Sequence, residues 1–146
     1  GVALRTTFIV GFPGESEACF EDLLRFIRET QFERLGIFTY SREEDTPAYT
    51  LRGRVAKREA ERRKAQVELR QGPITDQALE SHVGRVLDVL VEEKVQGEEL
   101  SLGRAYLQAP DVDGLVVIRR SLEPGTRRAV VIERRNGVDL EGSPRE

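Results

Sequence analysis

The hydrophobic period of the chain changes partway along, and this limits the possible folds more than any other feature. In the first forty residues, Leu4-Arg-Thr-Thr-Phe-Ile-Val10 reads as a buried or half-buried strand, because β-branched and aromatic residues fit a pleated surface. Gly11-Phe-Pro-Gly14 breaks it. Ser16 is placed to cap a helix, and Glu15, Glu17, Glu21 and Asp22 favour its positive end. Phe20, Leu23, Leu24 and Ile27 then recur at helical spacing on one face. A second strand follows at Arg34-Leu-Gly-Ile-Phe-Thr-Tyr40. Strand, helix, strand is the pattern of two parallel strands joined by a right-handed crossover. Two strands cannot bury both of their faces alone, so a complete sheet needs more strands than this chain supplies.

After residue 77 the pattern becomes a series of short β segments at 83–91, 103–108, 115–119, 128–134 and 138–140. Turn signals separate them: Gln96-Gly97, Pro110-Asp111, Glu123-Pro-Gly125 and Asn136-Gly137, the last a strong hairpin signal. Short strands this closely spaced predict a small closed barrel, because closure removes exposed edges. Between the two parts, residues 55–70 are rich in strong helix formers, with a Glu59–Arg63 pair in the favourable order. Gly72-Pro73 predicts an early stop or kink in that helix. The expected division is therefore 1–54, a linker helix 55–76, and a barrel 77–146, α+β overall.

Composition narrows the chemistry. Of the 146 residues, 34% are charged and 38% hydrophobic, as in a soluble globular chain, and no apolar run is long enough to span a membrane. No charged-then-apolar leader opens the sequence, so the expected location is cytoplasmic. Cys19 is the single cysteine, which excludes an intramolecular disulfide and a cysteine-only metal site built from this chain alone. Beside Phe20 it reads as a small buried hydrophobe rather than a reactive thiol. His82 is the single histidine, so no metal site and no Ser/His/Asp arrangement can be assembled, and no catalytic residue is assigned. The run Lys57 to Lys64 reads as a solvated helix face, the alternative being a phosphate contact.

Thr7-Phe-Ile-Val-Gly-Phe-Pro-Gly-Glu15 is the most informative stretch for a site. Glycines at the carboxyl end of a parallel strand let backbone approach a ligand such as a nucleotide-like cofactor, or serve only a tight turn. Tyr40-Ser-Arg-Glu-Glu-Asp-Thr-Pro-Ala48 leaves the second strand at the same edge, as part of a site or as a solvated loop.

Several stretches together resemble the methylthiotransferase family of radical S-adenosylmethionine enzymes. They are residues 4–15, 32–41 and Thr46-Pro-Ala48, followed by 103–114, Pro124-Gly125 and 138–142, which resemble the family's C-terminal TRAM domain. The resemblance runs along essentially the whole chain, in order. It implies the end of a radical SAM (β/α) partial barrel, a linker helix, and a small five-stranded antiparallel β-barrel of TRAM, OB-like type. The Ala-Pro-Asp-Val-Asp-Gly segment at 109–114 is similar to the branch that methylthiolates an aspartate β-carbon of ribosomal small-subunit protein twelve; a sister branch modifies tRNA. The resemblance further implies a longer parent that uses S-adenosylmethionine and two [4Fe–4S] clusters. The cluster cysteines have no counterpart here, so the chain alone is expected to be inert; the alternative is a non-catalytic TRAM module that binds RNA or a ribosomal protein through the barrel. Ile9, Gly11, Tyr40 and Ser41 match positions along the adenosyl side of the cofactor. In the barrel, Arg104, Tyr106, Asp111 and Asp113 are candidates for partner binding, with no membrane partner.

Two departures from the family pattern stand out. Asp45 replaces the usual glycine before Thr-Pro-Ala, at a turn that wants positive φ. Arg70-Gln-Gly-Pro-Ile-Thr75 replaces the family's continuation of the helix. Charge then discriminates between partners. Residues 77–146 carry 10 basic and 13 acidic side chains, net −3. An RNA-binding barrel needs a positive face, so this balance favours a basic ribosomal protein over tRNA. Asp111, Asp113, Glu92, Glu93, Glu98 and Glu99 are the expected acidic face. Arg104, Arg119, Arg120, Arg127 and Arg128 are the countervailing set.

Overall fold

The computed structural model describes residues 2–146, which form two compact units: residues 4–75, and residues 76–146 together with the start of the chain. In the first, β1 (Arg5–Val10) and β2 (Arg34–Thr39) pair in parallel with Phe8 opposite Ile37, and α1 (Glu17–Thr30) makes the crossover. Ser16 caps α1 as the sequence predicts, its Oγ accepting from the Cys19 amide at 3.2 Å. Phe20, Leu24 and Ile27 bury the predicted helix face against Val10, Ile37 and Val67. Phe20 is fully buried, and truncating such a ring to alanine costs about 3–5 kcal/mol.

The second helix corrects an expectation. α2 runs unbroken over Lys57–Glu80 with Pro73 inside it, so Gly72-Pro73 does not stop it. A proline at 73 deprives the Leu69 carbonyl of its helical donor. Leu69 is 78% exposed, so the loss falls on the solvated side. The other side is anchored. Gln71 is buried and its Nε2 donates to the Phe32 carbonyl at 2.7 Å, while the Thr75 hydroxyl donates to the Glu33 carbonyl at 3.0 Å. Ile74 packs on the same core. These tertiary contacts outweigh the local cost of the proline.

In the second unit, β3 (Val86–Lys94), β4 (Ser101–Arg104), β5 (Val116–Ile118), β6 (Arg127–Asn136) and β7 (Asp139–Pro144) close into a barrel in the order β3-β4-β5-β7-β6. This is the predicted five-stranded, OB-like barrel within an α+β chain, with one refinement. Four pairings are antiparallel, but β5 and β7 are parallel. Parity requires it, because a ring with an odd number of strands cannot alternate direction all the way round. Val89, Val91, Val116, Ile118, Val130, Ile132 and Leu140 fill the interior, and Leu79 from the end of α2 joins them.

Three strand positions differ from expectation, one of them β7, which continues to Pro144 rather than ending at Leu140. β3 starts at Val86 rather than Val83, because Gly84 adopts φ +81 and a turn precedes the strand. β4 occupies 101–104 rather than 103–108. Gln108 folds back so that its Oε1 accepts from the Ala105 amide at 2.9 Å, which ends the strand in a turn. Gly103 and Gly142 lie where a Cβ would meet the backbone of the neighbouring strand, at Leu90 and Val131 respectively. Among the described residues, no helix is long and apolar enough to cross a membrane.

Candidate functional site

Parallel strands end on the same side, so the loops after β1 and β2 converge. There they border a cavity of about 500 Å³ whose lining includes Gly11, Tyr40, Ser41, Tyr49, Arg54 and Ala60. That volume lies within the range of small-molecule sites. Gly11 makes the close packing possible. It has φ +79, and a Cβ there would lie 2.5 Å from the Ala60 Cβ on α2. Gly14, at φ +88, donates from its amide to the Gly53 carbonyl at 2.8 Å, and the Glu15 amide closes a turn onto the Phe12 carbonyl at 2.9 Å.

The Tyr40 ring stands edge-on to Phe12 with centroids 5.2 Å apart, and its hydroxyl is buried without a hydrogen-bond partner. The Ser41 hydroxyl donates to Glu43 Oε1 at 2.6 Å. Arg42 lies 3.6 Å over the Tyr49 ring and donates to the Tyr49 carbonyl at 3.1 Å. Asp45 adopts φ 63, the left-handed geometry expected at this turn.

Of the four residues expected along a cofactor, the structure brings Gly11, Tyr40 and Ser41 to one cavity. Ile9 is placed differently. Phe8 and Val10 point toward α1, so Ile9 projects from the other face of the sheet, 54% exposed and opposite Phe38 in register. An adenosyl-type ligand fits the cavity, given its size, its aromatic and cationic lining and the orphaned Tyr40 hydroxyl. An iron–sulfur cluster does not fit these residues. Among the described residues no group of three or more His, Cys, Asp or Glu is placed to hold a metal. Cys19 is exposed rather than buried as expected, because the buried face of α1 is carried by Phe20, Leu24 and Ile27; its Sγ accepts from the Ser16 hydroxyl at 3.2 Å, and that hydrogen bond pulls its thiol below the ordinary range.

The sequence reading missed the buried guanidinium beside this cavity. Arg63 lies in the run read as a solvated face, yet only 5% of it is exposed. Its Nη1 meets Glu15 Oε1 at 2.6 Å and the Glu15 carbonyl at 3.0 Å. Its Nε donates to Glu59 Oε1 at 2.9 Å, and its Nη2 to Glu17 Oε2 at 3.1 Å. Burial works against the charge, but the hydrogen bonds Arg63 donates to Glu15 and Glu59 more than reverse it, so the pKa of Arg63 is raised. Hydrogen bonds from Arg62 and Arg63 hold the Glu59 carboxyl down at about 2. The Glu59–Arg63 spacing was the available signal in the sequence. Its partner Glu15 lies 48 positions away, beyond the reach of any local pattern.

On the barrel, Arg104 and Tyr106 line a groove of about 280 Å³ together with Asp88, Leu90, Gln108 and Arg127. Tyr106 is 54% exposed and stands edge-on to His82 with centroids 6.3 Å apart. Asp111 and Asp113 do not line this groove. Asp111 sits at φ 58, and Asp113 Oδ2 accepts from the Ala109 amide at 2.7 Å, stiffening the loop that follows. Much of the basic charge is neutralised internally. Arg104 pairs with Glu92, Arg127 with Asp88, Arg119 with Glu133 and Glu141, and Arg134 with Glu141.

Residues 83–144, which hold the closed five-stranded barrel, match the TRAM domain family. The chain is 45% identical over 151 residues to the ribosomal protein uS12 methylthiotransferase RimO of Treponema denticola, a match covering 94% of this chain and 32% of the relative. The proteins of the same name from Thermotoga sp. (strain RQ2) and Carboxydothermus hydrogenoformans are 44% and 41% identical. Those matches cover 96% and 97% of this chain, and 32% and 33% of the relatives. The chain spans about a third of the length of the curated relatives it matches.

Proposed function

We propose that this chain is part of a methylthiotransferase acting on ribosomal protein uS12, supplying one wall of the cofactor site and the domain that recruits the substrate. The observation that carries this reading is the cavity at the ends of β1 and β2, where Gly11, Tyr40 and Ser41 converge in a chain related to enzymes of that name. When bound there, S-adenosylmethionine supplies the radical chemistry needed to functionalise an aspartate β-carbon. The residues of this chain bind, orient and exclude water. Gly11 brings backbone up to the ligand, Tyr40 offers a ring face and an unpaired hydroxyl, and Ser41 a hydroxyl. Ile9 contributes from the sheet face opposite α1. The two [4Fe–4S] clusters of the proposed parent take their cysteines from outside these 146 residues, and the chain alone is inert.

In the proposed division of labour, residues 1–54 close the radical SAM domain, 55–76 form a linker and 77–146 recruit substrate. Arg104 and Tyr106 in the groove, with Asp111 and Asp113 on the adjoining loop, meet the partner. The net −3 of residues 77–146 and the internal pairing of their arginines support a basic protein partner over tRNA. The proposed setting is the cytoplasm.

A chimera tests this reading. The matching third of the Thermotoga protein is replaced by this chain, and uS12 and tRNA are both analysed by mass spectrometry. Methylthiolated uS12 with unmodified tRNA is expected. A folded chimera that modifies tRNA alone, or neither substrate, contradicts the proposal.

A further inference from the structure

We propose that Arg63 of α2 is a positioning residue for the cofactor cavity: through Glu15 it locks the Gly11–Glu15 turn that forms the cavity's lip. This deepens the cavity reading above and rests on it. The contacts form a chain. The Gly11 amide donates to Glu15 Oε1 at 2.9 Å, and that same oxygen receives Arg63 Nη1 at 2.6 Å. Arg63 also takes the Glu15 main-chain carbonyl at 3.0 Å, so it grips both the side chain and the backbone of the residue that ends the turn. Its own position is set by Glu59 one helical turn earlier, and its guanidinium lies 5.3 Å from the Phe20 ring centre. One turn of α2 therefore touches the lip twice: Ala60 packs where a Cβ of Gly11 would be, and Arg63 binds Glu15.

A lysine cannot reproduce this. Its single ammonium lacks the fork that reaches Glu15, Glu17 and Glu59 together. A positioning role and a merely structural one predict different patterns. General support for the core would loosen β1, α1 and β2 alike, whereas positioning loosens the turn alone.

The test compares Arg63→Gln and Arg63→Lys with Arg62→Gln in the 146-residue chain. Arg62 is the right control, because it binds Glu59 and Glu17 but not Glu15. Two quantities are read: amide hydrogen exchange along residues 8–20, and S-adenosylmethionine affinity by calorimetry. Losing charge-assisted bonds of this kind should speed exchange of the Gly11 and Gly14 amides by about tenfold or more in Arg63→Gln. Affinity should weaken by a similar factor, and Arg62→Gln should leave both unchanged. Equal exchange at the turn in folded Arg63→Gln and Arg62→Gln overturns the proposal, as does loosening spread evenly over the unit. If Arg63→Gln fails to fold, Arg63→Lys decides, with faster exchange at the turn expected and wild-type exchange overturning the role. An unmutated chain that fails to bind S-adenosylmethionine counts against the cavity reading, while the exchange comparison still decides the role of Arg63.

Discussion

Replacing Gly11 with alanine imposes two separable penalties. The left-handed φ of +79 costs an L-residue about 1–2 kcal/mol. The new Cβ would lie 2.5 Å from the Ala60 Cβ, and overpacking of that kind adds about 1–3 kcal/mol. Together these predict roughly 2–5 kcal/mol of destabilisation for Gly11→Ala. Ala60→Gly alone should cost about 1 kcal/mol, the usual penalty of glycine inside a helix. In the double variant the clash disappears while the φ penalty stays. The cycle should therefore show a favourable coupling of about 1–3 kcal/mol. Urea unfolding followed by the helical circular dichroism signal measures all four proteins, since α1 and most of α2 lie in the first unit. Additivity to within about 0.5 kcal/mol would refute the argument that α2 sets the shape of the cavity lip.

Other perturbations should act with predictable sign. Asp45→Gly removes the cost of a left-handed aspartate at φ 63, and should raise the urea midpoint by the equivalent of about 0.5–1 kcal/mol. Pro73→Ala returns a helical donor to the Leu69 carbonyl and should stabilise the chain by about 2 kcal/mol; a loss of stability would mean that the proline has a role in the fold. The Glu59 carboxyl sits at about 2, below its ordinary 4.5, so its contribution is complete above pH 4.5 and lost as pH falls toward 2. Glu141, held down by hydrogen bonds first from Arg134 and then from Asn136, acts in the same direction. Melting temperature measured across that range should fall less steeply in Glu59→Gln than in the unmutated chain.

The parts legible in the sequence are those decided by local physics. The strand, capped helix and strand of residues 5–39 follow from a period of two, an N-cap serine and a period of 3.6. Barrel closure followed from strand spacing and turns, and the left-handed turn at Asp45 from comparison with a glycine pattern. What failed was decided at a distance. Pro73 breaks a local rule, and the helix survives because Gln71 and Thr75 bind carbonyls about forty positions away. Strand β4 ends early because the side chain of Gln108 turns back on the backbone, which hydrophobic period cannot report. Arg63 is charged and stands among charges, so composition placed it in water, while tertiary partners bury it beside the cavity. Within the site, sequence placed Gly11, Tyr40 and Ser41 on one edge, but strand alternation sends Ile9 to the opposite face from its neighbours in the core.

Competitive binding tests whether the barrel of this proposed methylthiotransferase segment recruits a basic protein. Labelled uS12 and tRNA are titrated against the 146-residue chain at physiological salt and followed by fluorescence anisotropy. uS12 should bind in preference, with an affinity that falls as salt rises, because complementary charge is screened. Preferential binding of tRNA under the same conditions would contradict it.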